Sequence, residues 1–395
     1  MSFDHDILIS GGGTPGLALA LIAAHAGLSV GVIDPAPLSS FKPGKAEGRT
    51  AALMPSAIRT LSRAGVWDGC LPHGAPLRVL RIIDDSTGNR RAQIETDFAA
   101  ADIGLDYFAV NMPNNIVRAM LAATANNHKN ITLHDSLSLS DFHANDFGVA
   151  AILSNGKGLR ARLLAGADGR QSLVREKSGI GIRHQEYGLS AITCLITHSA
   201  AHDDVSTEFH RPGGPFTLVP LPGHTSSVVW VEKDDDAQRF MRMSKPPFEQ
   251  ALQDRSCDRL GAIKLASDPQ SCPLIALRAH GLTAPRVALL AEAAHVLSPL
   301  GAQGLNLSLR DAECLADTII EAARTGIDIG ARPLLASYER ARRADIFVRA
   351  AGTDGLTRFV SHNIRPVHEL RRAGLRTLSM VEPLRLFAMQ QGMAV

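Results

Sequence analysis

Apolar residues run almost unbroken from Ile7 to Ile33, in the stretch ILISGGGTPGLALALIAAHAGLSVGVID, and no Asp, Glu, Lys or Arg interrupts them before Asp34. About 20 apolar residues suffice to cross a bilayer as a helix. Gly11, Gly12, Gly13, Pro15 and Gly16 break the run near its start, so the pattern predicts something else. Ile7–Ile9 reads as a short buried strand, Leu17–Ala26 as a helix stopped by Gly27, and Leu28–Ile33 as a second strand. Pro15 suits a first helical turn, where its missing N–H would have no partner in any case. Together these make a βαβ unit.

Elsewhere the period changes to two. Leu77–Phe98 holds two alternating runs around Ser86-Thr87-Gly88-Asn89, a hairpin signal. Residues 190–233 hold several more, including Phe216–Leu221 and Ser226–Val231, joined by Pro222-Gly223-His224. Alternation puts Phe216, Leu218 and Pro220 on one face, which is the expected wall of a substrate pocket or else ordinary core.

The spacing of the first glycines carries chemistry. Gly11, Gly13 and Gly16 fit GxGxxG: a tight turn, a close backbone approach to a pyrophosphate, and tight helix–strand packing. Free N–H groups at the helix start would face the phosphates. Asp34 lies 18 residues after Gly16, where an acid takes adenosine ribose hydroxyls. The unit therefore predicts dinucleotide binding.

Composition narrows the class. With 41 Lys+Arg against 39 Asp+Glu, nothing global points to nucleic acid. The 395 residues have room for about two domains. Five scattered cysteines without a CxxC suggest a reducing compartment and no metal site. No Ser-His-Asp, HExxH or P-loop pattern suggests another chemistry, and no catalytic base stands out.

Two further segments share one design of apolar strand, turn and helix. LLAGADGRQSLVRE (Leu163–Glu176) contains Asp168-Gly169, and RVALLAEAAHVLSPLGAQGLNLSLRDAECLAD (Arg286–Asp317) contains a Pro/Gly-rich loop before a helix. With the first motif and Arg49 in GRTAAL, they resemble the three fingerprints of the FAD-dependent aromatic hydroxylases of the para-hydroxybenzoate hydroxylase fold group. Gly214–Trp230 and the tail Thr353–Ala394 are similar to the ubiquinone-biosynthesis branch. That resemblance implies an α/β fold with an α+β second domain: a GxGxxG FAD-binding domain (1–75, 100–180, 275–345), an interleaved antiparallel-sheet substrate domain (76–99, 181–274) and C-terminal helices (346–395).

The same resemblance implies site residues. Gly11, Gly13 and Gly16 would hold the FAD pyrophosphate, Asp34 the adenosine ribose, and Arg49 the phosphate and ribityl region. Asp168-Gly169 would serve both FAD and a transient NAD(P)H. Pro299, Gly301, Gln303 and Gly304 would bring backbone N–H groups and a helix N-terminus against the flavin pyrimidine edge. Where the family has Gly-Asp for the ribityl chain, this chain has Ala291-Glu292; glutamate is the same acceptor, one methylene longer. His295 reads as a buried, hydrogen-bonded histidine. Arg310 and Asp311 read as an exposed pair or as part of the site.

The implied reaction is ring hydroxylation of a polyprenylated phenol with NAD(P)H and O2 on FAD. Two alternatives use the same residues: a hydroxylase of a small soluble aromatic, and a non-catalytic FAD-binding member of a quinone-biosynthesis complex. From Arg365 onward five arginines face two acids among apolar residues at helical spacing. This suits a C-terminal helix packed on the FAD domain, or a peripheral patch through Arg371, Arg372 and Arg376 that meets complex partners or anionic lipid. The expected place is cytoplasmic, on the inner face of the membrane if that patch is used.

Overall fold

The computed structural model describes residues 2–42, 44, 46–85, 93–211, 213–298, 301–361 and 365–393. Its first unit is β1 (His5–Ser10), α1 (Thr14–His25) and β2 (Val30–Asp34). The helix starts three residues before Leu17, because Gly13 takes an extended N-cap conformation and Pro15 sits in the first turn. Ten of the twelve residues of α1 are buried, Leu17–Ala24 among them. The reason is placement: α1 lies between helices Asn114–Asn126 and Gln303–Arg324.

Around β1 grows an eight-stranded sheet. Its parallel centre runs Val287–Leu289, Gly158–Gly166, β1, β2, Ile131–Asp135. Strands covered on both faces read as continuous apolar runs rather than alternating ones, and Ile7, Leu8, Ile9, Leu163 and Leu164 are fully buried. A second, nine-stranded sheet is largely antiparallel, built on the long strand Ile182–His198 and its partners Thr225–Lys233 and Gln270–Ala279. Val79–Asp84 and Ile94–Ala99 pair antiparallel at its edge, from Val79 opposite Ala99 to Asp84 opposite Ile94. The expected hairpin turn Ser86-Thr87-Gly88-Asn89 lies outside the described residues. A third sheet joins β3 (Thr50–Leu53), Ala109–Pro113 and Ala75–Leu77.

One boundary differs from expectation, the one at residues 274 and 275. Gln270–Ala279 continues past residue 275 along Ile182–His198, and His295–Val296 pairs with its end. The antiparallel sheet thus reaches into the stretch expected to be purely FAD-binding, because the ladder continues to Ala279 opposite Ile182.

In three places the structure excludes one of the two readings that the sequence left open. Phe216 and Leu218 do not face a pocket. They are buried in a core with Trp230, Phe240 and Phe248 beneath helices Asp234–Met241 and Lys245–Ser256, and Pro220 lies buried on the same face. Arg310 and Asp311 are not an exposed pair: Asp311 is fully buried, and Arg310 pairs at 3.2 Å with Asp345 on helix Arg332–Ser361. Arg372 does not offer its charge to a surface. It is buried on helix Arg365–Met380, with Nη1 3.2 Å from Oδ1 of the buried Asp84. That helix packs on strand Ile94–Ala99 of the antiparallel sheet rather than on the parallel one. Arg376 is exposed on the same helix, and the Arg371 side chain lies outside the described residues.

Candidate active site

A cavity of about 500 Å³ opens where the three sheets meet. The parallel-sheet unit and its loops line it with Gly13, Thr14, Pro15, Arg49, Gly169 and Arg170, and the antiparallel sheet with Ala191, Val219, Val229, Leu274, Ile275 and Val296. Val219, and not its neighbours Leu218 and Pro220, supplies this strand's share of the wall.

The three glycines differ in what surrounds them. Gly11 has φ +110°, and an added Cβ would sit 2.2 Å from the Ala167 carbonyl oxygen; at Gly16 it would sit 2.0 Å from the Gly11 carbonyl oxygen. Both positions are closed by the protein's own backbone. At Gly13 an added Cβ would meet nothing nearer than Pro15 Cδ at 3.9 Å, yet Gly13 borders the cavity. A side chain there would stand in the space beside the start of α1. That start has no side-chain cap and no acid in its first turn, so its N–H groups remain for a pyrophosphate.

Asp34 is buried at the end of β2. Oδ2 accepts from Gly12 N–H at 2.6 Å, and Oδ1 from Ala36 N–H at 2.8 Å and Arg118 Nη2 at 3.3 Å. It braces the glycine turn, and Oδ2, with one donor against it, keeps a lone pair. Arg118 also donates from Nε to the Gly12 carbonyl at 3.0 Å and lies over the Phe41 ring. The sequence reading missed Arg118; the only signal was one arginine on the apolar face of NNIVRAML.

Arg49 is exposed at the cavity and pairs with no acid among the described residues. Asp168 accepts from Val174 N–H through Oδ2 at 3.1 Å, while its Oδ1 is buried with no partner among the described residues. Gly169, φ +83°, makes the turn that brings Arg170 to the cavity. Arg170 Nε donates to Glu292 Oε2 at 3.2 Å, and the Glu292 side chain is half exposed at the cavity edge. The buried Arg175 holds this edge from behind, donating to the carbonyls of Ala293 (2.9 Å) and Arg170 (2.7 Å).

In the third motif, Gly301 (φ +78°) and Ala302 (φ +52°) turn the chain into helix Gln303–Arg324, whose start carries no side-chain cap. Gly304 borders the cavity. The Gln303 side chain is turned away, accepting from Arg349 Nη1 at 2.7 Å, so what this turn offers is backbone. Pro299 lies outside the described residues. Asn306 fixes the helix start: Oδ1 accepts from Met54 N–H at 2.8 Å, and Nδ2 donates to Ala52 and Ala302 carbonyls.

Beneath the loop lies Asp311. Its carboxylate accepts from Ala291 N–H (3.0 Å), His295 Nε2 (2.6 Å) and Arg342 Nε (2.7 Å). Burial alone would push this carboxyl up, but His295 and Arg342 outweigh it and hold the group below its ordinary value. Arg342 continues to Asp345 at 2.8 Å, and Asp345 to Arg349 at 2.9 Å, which returns to Gln303. His295 is buried and hydrogen-bonded, and it borders the cavity. Among the described residues there is no cluster suited to a metal ion.

Comparison with known proteins agrees with this geometry. The family described as FAD binding domain matches residues 4–350. The chain is 34% identical over 388 residues to the ubiquinone hydroxylase UbiL of Rhodospirillum rubrum, covering 98% of this chain and 89% of that protein. It is 29% identical to the 3-demethoxyubiquinol 3-hydroxylase of Escherichia coli, covering 94% and 93%. Among solved structures, p-nitrophenol 4-monooxygenase PnpA of Pseudomonas putida superposes with a TM-score of 0.80 at 20% identity, over 100% of this chain and 97% of that one. PqsL of Pseudomonas aeruginosa in complex with 2-aminobenzoylacetate does so with a TM-score of 0.80 at 21% identity, over 94% and 99%. This match over nearly the whole length shows the family: the chain belongs to the FAD-dependent aromatic hydroxylases, in the family of the ubiquinone-biosynthesis hydroxylases.

Proposed function

We propose that this flavoprotein hydroxylates the aromatic ring of a polyprenylated phenol in ubiquinone biosynthesis, with NAD(P)H as electron donor and O2 as oxygen source. The observation that carries the reading is the make-up of one cavity, with a glycine turn and two uncapped helix starts on one side and a sheet wall of mostly apolar side chains on the other. Bound FAD supplies the redox chemistry, taking a hydride from NAD(P)H and activating O2.

The chain's own residues divide the remaining work. Gly11, Gly13 and Gly16 let the backbone close on the pyrophosphate. Asp34 takes the adenosine ribose with the remaining lone pair of Oδ2, and Arg49 the phosphate and ribityl region. Asp168 and Gly169 shape the floor shared by FAD and NAD(P)H. Glu292 accepts from a ribityl hydroxyl while Arg170 steadies it. The turn through Gly301, Gln303 and Gly304 directs a helix N-terminus at negative charge on the flavin pyrimidine edge. Val219, Val229 and Leu274 keep water from the reacting ring, without which activated oxygen is lost as hydrogen peroxide.

A long prenyl chain resides in a bilayer, and a reversible surface contact would serve its delivery. No helix among the described residues is long and apolar enough to cross a membrane. The junction of the last two helices exposes Met380, Val381, Leu384 and Phe387. These four, rather than Arg372, form the contact with lipid.

The test is direct. Purified protein should be yellow and oxidise NAD(P)H faster when a short-chain prenylated phenol is added. It should also place one atom from labelled O2 on the ring. A strain lacking the protein should accumulate the unhydroxylated quinone precursor. Failure to oxidise NAD(P)H faster with any phenol would exclude the reading.

A further inference from the structure

We infer that Thr50 and Ser227 form the subsite that orients the ring hydroxyl of the substrate, a proposal that rests on the reading of the substrate as a phenol. The apolar end of the cavity carries few polar side chains. Three of them, Thr50, Asn111 and Ser227, are joined to one another.

Asn111 is 1% exposed. Its Nδ2 donates to the Pro220 carbonyl at 2.8 Å and lies 3.3 Å from Ser227 Oγ and 3.5 Å from the Val219 carbonyl, while its Oδ1 is buried with no partner among the described residues. Reversing the amide would set its oxygen against a carbonyl oxygen, so the orientation is determined. Ser227 is also 1% exposed, and its Oγ lies 2.8 Å from Thr50 Oγ1 and 3.5 Å from the Val219 carbonyl. Of the three, only Thr50 is half-buried rather than buried, and it therefore keeps hydrogen-bonding capacity toward the cavity. Thr193 adds a hydroxyl to the same wall, but nothing among the described residues anchors it.

The arrangement works in two polarities. If Ser227 donates to Thr50, the Thr50 proton is free for a substrate oxygen. If Thr50 donates to Ser227, a Thr50 lone pair accepts from the phenol O–H, and the Ser227 proton turns to the Val219 carbonyl. Either way the chain ends in neutral amide groups, none of which takes a proton near neutral pH. Thr50 is therefore a positioning residue and not a base. Thr50 lies on β3 and Ser227 on Thr225–Lys233 of the antiparallel sheet, so the pair registers the ring against both walls of the cavity.

The experiment compares wild type, Thr50→Val and Thr50→Ser as loaded holoenzymes. Valine matches threonine in shape and lacks the hydroxyl. Thr50→Val should keep its FAD content and melting temperature, raise KM for the phenol about three- to tenfold, and form less product per NAD(P)H consumed. Thr50→Ser should restore both. The pH profile should be the same in all three. Unchanged KM and coupling in Thr50→Val would overturn the proposal, and so would a displaced pH profile, which would mean that Thr50 carries a proton. The contact is with the ring hydroxyl, so the comparison runs on a short-chain prenylated phenol and on a chainless one. If wild type turns over only the chainless phenol, the prenylated reading fails while the role of Thr50 is decided by the same KM and coupling.

Discussion

Asp311 and His295 meet at 2.6 Å inside the protein, the carboxylate fully buried and the imidazole nearly so. The same carboxylate receives Ala291 N–H and Arg342, so one side chain holds the Ala291–Glu292 loop, the end of the antiparallel sheet and helix Arg332–Ser361 together. Ala291 sits at φ +55°, a conformation an alanine adopts only when its surroundings enforce it.

Asp311→Asn should therefore destabilise the fold and weaken FAD. Removing one partner of a buried ion pair costs about 3–5 kcal/mol, because the remaining cation is left uncompensated. Denaturant titration of the apoprotein and FAD affinity should both register the loss. The pH sign follows from the lowered carboxyl: its contribution is fully present above the unfolded value of about 4 and is lost as pH falls through the lower folded value. A variant of wild-type stability would show that the loop holds itself.

Gly13→Val should expel FAD without unfolding the protein. The added side chain meets open cavity rather than backbone, so its clash is with the pyrophosphate alone. Gly11→Val and Gly16→Val meet backbone atoms near 2 Å and should destabilise the apoprotein as well. Absorption spectra with urea titrations separate the two outcomes. A full flavin spectrum in Gly13→Val would show that the pyrophosphate lies elsewhere.

Glu292→Ala should weaken FAD by the loss of one charge-assisted hydrogen bond, on the order of 1.5–3 kcal/mol, and Glu292→Asp by less. Arg170→Gln separates direct from indirect action. If Glu292 touches the ribityl chain, Arg170→Gln changes affinity less than Glu292→Ala does. Unchanged FAD affinity in Glu292→Ala would make the pair with Arg170 its whole role.

His5 and His134 are both buried and face each other at 3.2 Å between their Nε2 atoms. Burial, then His5 and Lys157, push His134 down to about 4, while Asp4 acts in the opposite direction. Between pH 6.5 and about 4 the unfolded chain binds more protons, so stability falls as pH falls, by up to about 1.4 kcal/mol per pH unit. His134→Gln should flatten this limb in urea titrations at pH 7.5 and 5.5. An equally steep limb in the variant would assign it to other groups.

What the chain revealed in advance was local. The glycine spacing, Asp34 and the strand–helix–strand order lie within 30 residues, and their geometry leaves few choices. Phe216 and Leu218 stayed undecided between pocket wall and core for a physical reason: alternation separates two faces of a strand without telling which is covered by helices and which by a cavity. The large residues went beneath the helices with Trp230, and Val219 took the cavity. Asp311 was ambiguous because its cation, Arg342, comes from the next helix, and spacing alone does not show that the chain folds Ala291 and His295 back onto it. Arg372 could not be assigned between a packed helix and a patch because its mate, Asp84, lies 288 residues away.

The tail gives the last prediction. With Arg372 engaged by Asp84, charge is a poorer handle than the exposed Met380, Val381, Leu384 and Phe387. A surface contact made by apolar side chains gains about 25 cal/mol per Å² of area buried and depends weakly on salt, whereas a basic patch is screened over about 10 Å at 0.1 M salt. The full chain should sediment with vesicles, and high salt should remove only part of that binding. Leu384→Gln with Phe387→Gln should weaken it several-fold while FAD content and turnover of a water-soluble phenol stay at wild-type values. Arg376→Gln, which leaves the apolar side chains in place, should reduce only the salt-sensitive fraction. Equal sedimentation of the double variant and wild type would move the lipid contact away from this junction, and loss of all binding at high salt would return it to the basic residues.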